Sequence, residues 1–320
     1  MTNNQPMFER VAENIRAELQ IPEKIELIFC SSDEEFASAG PDVEVAACFR
    51  LNEDVFSMLP GLKWIHFAVT GIDHAMYKSI ISSDIIITKS IGFHSKVTAE
   101  YAFAMILYFE RKLGLSLEFK SSREWIQKKI ALQTGTLAGK TLGILGQGAI
   151  GREVAQMAKA FGMNVIVTTR TSDSKSQFDN VDASYPLNEL EDLMSISDYF
   201  AICAPLTDQT RGLIDAKILS RMKESAILIN IARGAIVDEK ALYDLLVNKK
   251  IAGAGIDVYE TEPLPEESPF FKLDNVFMSP HVAGNFAEYT PLAATNFGIN
   301  LDRYMNGKDL NCVVDKSLWY

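Results

Sequence analysis

The chain has 320 residues, a hydrophobic fraction of 48% and a formal net charge of −11 at pH 7. That length suits two domains with sizeable cores. The acidic balance argues against nucleic acid or an anionic membrane surface as a partner, and leaves room for an anionic cofactor held by local N–H groups. No apolar run approaches the ~18 residues of a membrane span. The polar start Met1-Thr2-Asn3-Asn4, with Glu9 and Glu13 beyond it, lacks the basic and apolar regions of a signal peptide. Cys30, Cys48, Cys203 and Cys312 form no C-x-x-C pair and read as buried thiols in a reducing, cytoplasmic setting. His-Glu-x-x-His and paired cysteine clusters are absent from the sequence, so no metal is expected.

In chain order, residues 25–29, 43–48, 62–67 and 84–88 read as short strands with helical stretches between them. Ser31-Ser32-Asp33-Glu34-Glu35 offers a helix N-cap with a capping-box glutamate. An apolar helix is expected from about Ser95 to Lys112, placed to bridge two domains. A second series of strands falls near 141–146, 164–168, 199–203, 226–232, 252–257 and 275–279. The nearly continuous apolar run Ala226–Ala232 suits a central strand covered on both faces. Thr290-Pro291 reads as the start of a last helix, and Asn306-Gly307 as its stop. Strand–helix alternation throughout predicts an α/β chain of two doubly wound, parallel-sheet domains of the Rossmann or flavodoxin type, with a cleft between them. The expected division is 1–100 plus 288–320 for a substrate-binding domain and 101–287 for a dinucleotide-binding one.

The sharpest signal is Leu142-Gly143-Ile144-Leu145-Gly146-Gln147-Gly148-Ala149-Ile150-Gly151. A strand runs into Gly-x-Gly-x-x-Gly and a helical pattern follows. The first glycine permits the tight turn, the second lets a pyrophosphate approach the backbone, and the third brings helix and sheet together, with helix N–H groups facing the anion. An ordinary glycine-rich turn is the plain alternative; the strand–turn–helix context weighs against it. Open parallel sheets bind ligands beyond the carboxyl ends of their strands. Arg233, Asp257 and His281 follow three such ends, and Glu262 lies in the loop after Asp257. Each alone has an ordinary reading: a surface cation, a turn cap, a loop histidine, a solvated carboxylate. Their joint occurrence after a dinucleotide motif points to chemistry.

Five segments carry a family resemblance. They are Gly139–Gly151, Ala204-Pro205-Leu206-Thr207, Asn230–Asp238, Gly255–Leu264 and Ser279–Asn285. In this order they resemble the D-isomer-specific 2-hydroxyacid dehydrogenases, with a lean toward the glyoxylate/hydroxypyruvate reductases. Val69-Thr70-Gly71-Ile72-Asp73-His74 is similar to the family's carboxylate-binding loop, although Val69 stands where members often carry glycine. The resemblance implies hydride transfer between NAD(P)H and a 2-oxo acid. His281 would be the proton donor, Glu262 would orient its ring and favour its charged form, and Arg233 would grip the substrate carboxylate. Val69, Thr70 and Gly71 would hold that carboxylate through backbone N–H groups. The cofactor would lie along Gly146, Gln147, Gly148, Ala149, Ile150 and Gly151. Ala204, Pro205, Ile231 and Ala232 would also line it, and Asp257 would meet the nicotinamide carboxamide. A homodimer is implied as well.

NAD enzymes usually place a carboxylate about 20 residues past the glycine motif, on the ribose hydroxyls. Here Thr169, Arg170 and Thr171 stand at that strand end. They suit the extra 2′-phosphate of NADP, so NADP is the expected cofactor and NAD the second choice. The competing reading makes Arg170 a solvated cation and gives Asp173 the ribose. Tyr-x-x-x-Lys of a short-chain dehydrogenase occurs at Tyr108–Lys112 and Tyr304–Lys308, one before the glycine motif and one closing a terminal helix, so neither counts. Formate dehydrogenases typically pair their histidine with glutamine, against which Glu262 speaks. A phosphite dehydrogenase shares the Arg–Glu–His set, and a dinucleotide-sensing corepressor shares the fold; both stay open. Arg50, Phe49, Trp125 and the loop around His94 are candidates for the substrate pocket or for plain structure.

Overall fold

The computed structural model describes residues 5–169 and 179–319. The chain forms two compact units, Met1–Phe93 with Phe286–Tyr320, and His94–Asn285. It therefore crosses from one unit to the other at Phe93–His94 and again at Asn285–Phe286.

The smaller unit carries a parallel sheet of β1 (Val45–Cys48), β2 (Trp64–Phe67) and β3 (Ile86–Lys89), in that spatial order. Residues 25–29, expected as a strand, are not part of it. Ile25 closes a 3-10 turn that begins with Pro22, and Ile28 is 56% exposed, so the segment lacks the two-sided burial that a parallel strand requires. The expected cap forms with one shift from a strict capping box: Ser32 Oγ accepts from Glu35 N (3.3 Å), and Glu35 Oε2 accepts from Ser31 N (2.6 Å), one residue ahead of the cap. The last helix, Tyr289–Met305, starts ahead of the expected Thr290-Pro291 cap, with Glu288 at its N-cap; Gly307 ends it at φ 63°. Ile15 in the helix Gln5–Ala17 and Leu19 just beyond it pack with Trp64, Phe297 and Leu301 in one apolar cluster.

The larger unit holds seven parallel strands: β4 (Thr141–Leu145), β5 (Asn164–Thr169), β6 (Ala183–Pro186), β7 (Tyr199–Ile202), β8 (Ile227–Asn230), β9 (Gly253–Ile256) and β10 (Val276–Met278). Their spatial order is β10-β9-β8-β7-β4-β5-β6. The sheet is thus wound outward in both directions from β4, the arrangement that opens a crevice at the carboxyl end of β4. Side chains alternate between two cores: Phe200, Ile202 and Leu228 enter one, while Tyr199, Ala201, Ile227 and Ile229 enter the other. That period of two, apolar on both faces, is what the run Ala226–Ala232 encodes. The edge strand β6 was not expected; its residues Ala183-Ser184-Tyr185-Pro186 are short, polar and end in proline. The helix Ser95–Glu110 belongs to this unit, where Ala99, Ala102, Met105 and Ile106 are fully buried.

Candidate active site

The glycine motif occupies the turn from β4 into the helix Ala149–Ala160. Gly146 sits at φ 106°, and a Cβ there would lie 2.7 Å from Ala204 N. A side chain would therefore be strained by backbone and neighbour at once. A Cβ on Gly148, at the helix N-cap, would meet no heavy atom within 4 Å, so the loop faces open space where helix N–H groups converge. Ala149, Ile150 and Gly151 form the first turn. Open space at the N-terminus of a long helix, at the switch point of the sheet, fits a pyrophosphate. Gln147 braces the turn, its Nε2 donating to Thr168 O at 2.6 Å. Ala204 is 7% exposed against the turn, and Pro205 O accepts from Thr210 Oγ1 at 2.7 Å. Ile231 is buried in the core and Ala232 is half-buried beside it.

Thr169 closes β5. It is 5% exposed, and its hydroxyl donates to Tyr185 O at 3.3 Å. It pairs with Pro186 of the edge strand β6. Arg170 and Thr171, named with it, lie outside the described residues, as does Asp173.

The candidate chemistry lies past β8, β9 and β10, which are neighbours in the sheet. Asn230 pairs with Ile256, and Ile256 pairs with Met278. Arg233, Asp257 and His281 follow these aligned ends. His281 Nδ1 lies 2.7 Å from Glu262 Oε2, with 43% of the histidine side chain and 28% of the glutamate side chain exposed. Glu262 Oε1 accepts from Tyr259 N at 3.0 Å, so both carboxylate oxygens are anchored. Arg233 is half-buried in extended backbone; its Nη1 donates to Ala232 O at 2.7 Å. Asn230, 3% exposed, spans this turn by donating to Arg233 O (3.0 Å) and accepting from Ala232 N (3.1 Å).

Asp257 anchors the loop that carries His281. It is 0% exposed. Its Oδ1 accepts from Ser279 Oγ (2.6 Å) and Val282 N (2.9 Å), and its Oδ2 from Ala283 N (2.8 Å). Its carbonyl accepts from His281 N at 2.8 Å. Enclosed in this way, the carboxylate holds the histidine loop. His281 itself sits at φ 53°, a left-handed conformation that costs a non-glycine residue roughly 1–3 kcal/mol and that persists only where surroundings over-determine it. Asp257 supplies that over-determination.

Two further residues of the loop scaffold escaped the sequence reading. Glu239 Oε1 accepts from Glu260 N, pinning the loop that carries Glu262. Burial, together with the negative charges of Glu260 and Glu262, raises the Glu239 carboxyl above its ordinary value, against the pull of that hydrogen bond. Tyr259 donates to Ser279 O at 3.2 Å, tying the glutamate loop to the histidine loop. Asp238 caps the helix Glu239–Val247, its side chain accepting from Ala241 N at 2.9 Å.

In the smaller unit, Ala68–Gly71 follows β2. Thr70 Oγ1 donates to Ser90 O at 2.9 Å, and Tyr289 Oη donates to Ala68 O at 2.9 Å. Val69 and Gly71 are half-buried there.

Known proteins match this architecture. The description "D-isomer specific 2-hydroxyacid dehydrogenase, NAD binding domain" matches residues 103–283. A glyoxylate reductase of Pyrococcus furiosus is 34% identical over 274 residues, 84% of this chain and 80% of the relative. One from Aeropyrum pernix is 37% identical over 268 residues, 81% and 78% of the two chains. Among solved structures, an NADPH-dependent glyoxylate/hydroxypyruvate reductase of Sinorhizobium meliloti, in complex with NADP and sulfate, superposes with a TM-score of 0.84 at 24% identity, over 98% and 96% of the chains. A family member from Xanthobacter autotrophicus Py2, with NADPH and MES, gives 0.80 at 26%, over 98% and 96%.

The chain belongs to the D-isomer-specific 2-hydroxyacid dehydrogenase family. It is an NAD(P)-dependent oxidoreductase acting on the CH–OH group of 2-hydroxy acids and on the matching 2-oxo acids. No helix among the described residues is long and apolar enough to cross a membrane.

Proposed function

We propose that the protein works as a 2-oxo acid reductase that uses NADPH in preference to NADH. The observation that carries the reading is the 2.7 Å contact between His281 Nδ1 and Glu262, on the loops that flank the end of β9 and beside the Arg233 turn. With Nδ1 held by the carboxylate, Nε2 is the nitrogen left to face a substrate. A proton on Nε2 can pass to the carbonyl oxygen of a 2-oxo acid as charge develops there. Arg233 offers a planar fork to the substrate carboxylate and keeps its positive charge beside the same oxygen. The N–H groups of Val69, Thr70 and Gly71 hold the carboxylate. Asp257, Glu239 and Tyr259 fix the loops that carry the pair. The turn Gly146–Gly151, with Ala204, Pro205, Ile231 and Ala232, receives the dinucleotide, whose nicotinamide supplies the hydride. Arg170 and Thr171 take the 2′-phosphate, the place where an NAD enzyme would carry a carboxylate.

The smaller unit, 1–93 with 286–320 where the sequence suggested 1–100 with 288–320, serves as the substrate-binding domain, and the larger, 94–285, as the dinucleotide-binding domain. The working unit is a cytoplasmic homodimer that has no nucleic-acid partner. The test follows oxidation of NADPH and of NADH against a panel of 2-oxo acids. The expected result is turnover with a higher kcat/KM for NADPH. Cofactor binding without turnover on any acid would overturn the enzymatic reading in favour of a sensor; a clear preference for NADH would overturn the cofactor assignment.

A further inference from the structure

The smaller unit gathers aromatic rings at the carboxyl ends of its strands. Phe49 directly follows β1, and Phe93 lies past the end of β3. Phe286 and Tyr289 come from the returning chain and the first turn of the last helix. Tyr289 lies 5.1 Å from Phe93, 6.0 Å from Phe286 and 6.2 Å from Phe49, centroid to centroid, and Phe93 lies 6.3 Å from Phe286. All four rings are half-buried, neither sunk in the core nor scattered on the surface. The cluster is tied to the loop that follows β2: Tyr289 donates to Ala68 O, Ala68 N donates to Cys48 O at 2.9 Å, and Thr70 reaches Ser90 O.

We infer that this cluster is the wall against which the substrate's side chain packs, so that the enzyme takes 2-oxo acids with apolar, ring-sized side chains. The inference rests on the proposed grip of Val69–Gly71 on the carboxylate. With the carboxylate held there, the group on the far side of C2 extends over the neighbouring rings. The wall is chemically one-sided. Three of its members are phenylalanines, and the Tyr289 proton is committed to a backbone carbonyl. Burial pushes that phenol up to about 12, so it stays neutral at working pH. Such a surface gives nothing to glyoxylate, which has no side chain, and offers the hydroxymethyl of hydroxypyruvate no donor, only the Tyr289 oxygen as an acceptor. It rewards apolar area and ring–ring contact.

The experiment compares kcat/KM of the full chain with NADPH on glyoxylate, hydroxypyruvate, 4-methyl-2-oxopentanoate and phenylpyruvate. Phenylpyruvate and 4-methyl-2-oxopentanoate are expected to exceed glyoxylate by about tenfold or more, since a single methylene in an apolar pocket is worth about 10- to 200-fold. In Phe93→Ala the phenylpyruvate-to-glyoxylate ratio should fall about tenfold. Phe49→Ala, at the cluster's edge, should lower it less and serves if the first variant folds poorly. Preference for glyoxylate or hydroxypyruvate, or a ratio unmoved in both variants, overturns the side-chain assignment and leaves the reductase reading intact. Absence of turnover on every acid overturns the reductase reading itself, and this inference with it.

Discussion

His66 and His281 place the same ring in opposite surroundings. His66 lies inside β2, 1% exposed, with Nδ1 2.8 Å from Thr88 Oγ1 and Nε2 3.1 Å from Ser90 Oγ. Two neutral hydroxyls occupy both nitrogens, and burial lowers the ring's proton affinity to about 4. His281 is exposed, has a carboxylate on one nitrogen and sits on strained backbone. The first arrangement satisfies a ring and closes it to chemistry. The second leaves one nitrogen for use and spends backbone strain to aim it. Neighbours, strain and access distinguish a working histidine from a structural one.

The largest expected effect follows from that contrast. His281→Ala removes the proton donor and should lower kcat by about 10²- to 10⁴-fold, the range for a positioned acid–base group. Cofactor affinity, followed by fluorescence titration, should stay close to wild type. A kcat within threefold of wild type, by the same rule of about 10²-fold minimum, would remove His281 from the chemistry.

Next is the backbone that sets the site. A Cβ on Gly234 would overlap the backbone of Tyr259 and Glu260, so the Arg233 turn and the Glu262 loop touch with no room for a methyl group. Gly234→Ala must push them apart, and a displacement of order 1 Å can cost about 10²-fold. We expect kcat/KM to fall by about that factor while the helical circular dichroism persists. Unchanged kinetics would mean that the two loops move independently.

A smaller effect separates charge from contact at Glu239. Glu239→Gln keeps an acceptor for Glu260 N, whereas Glu239→Ala removes it. The alanine variant should lose about tenfold in kcat/KM and the glutamine variant less, in keeping with about 1.5–3 kcal/mol for a hydrogen bond to a charged group. Equal losses would assign the effect to charge alone.

How far the sequence revealed this contrast depends on the residue. The strands of the larger sheet were readable because both faces are apolar, and the glycine turn because its geometry admits few other residues. His281 was legible from its place after a strand, and Glu262 from the family resemblance. Their 2.7 Å contact depends on a loop closed by Asp257, Tyr259 and Glu239, through bonds that span long stretches of chain. No local pattern encodes those partners. The loop-holding role of Asp257 is hidden for this reason: its strand-end position is the same whether it faces a ligand or its own loop. The bond from Thr169 to Tyr185 O could not be foreseen because β6, a polar edge strand, carries almost no periodic signal.

The last prediction concerns stability. His66 binds its proton at about 4 in the folded chain, against 6.5 for an unperturbed ring, and His94 is shifted by burial in the same direction to about 4. Between those values the unfolded chain holds a proton that the folded chain refuses. The slope of unfolding free energy with pH is positive wherever the unfolded state binds more protons. Stability is therefore fully present above about 6.5 and is lost as pH falls toward 4, by about 3 kcal/mol for a ring shifted this far. His66→Gln carries no titrating group and can still hydrogen-bond. Denaturant melts at pH 7 and pH 5 should show a smaller loss for this variant than for wild type, with kcat/KM at pH 7 nearly unaltered. An equal loss in the two proteins would mean that His66 takes up its proton as readily in the fold as in the unfolded chain, and the contrast with His281 would then rest on access alone.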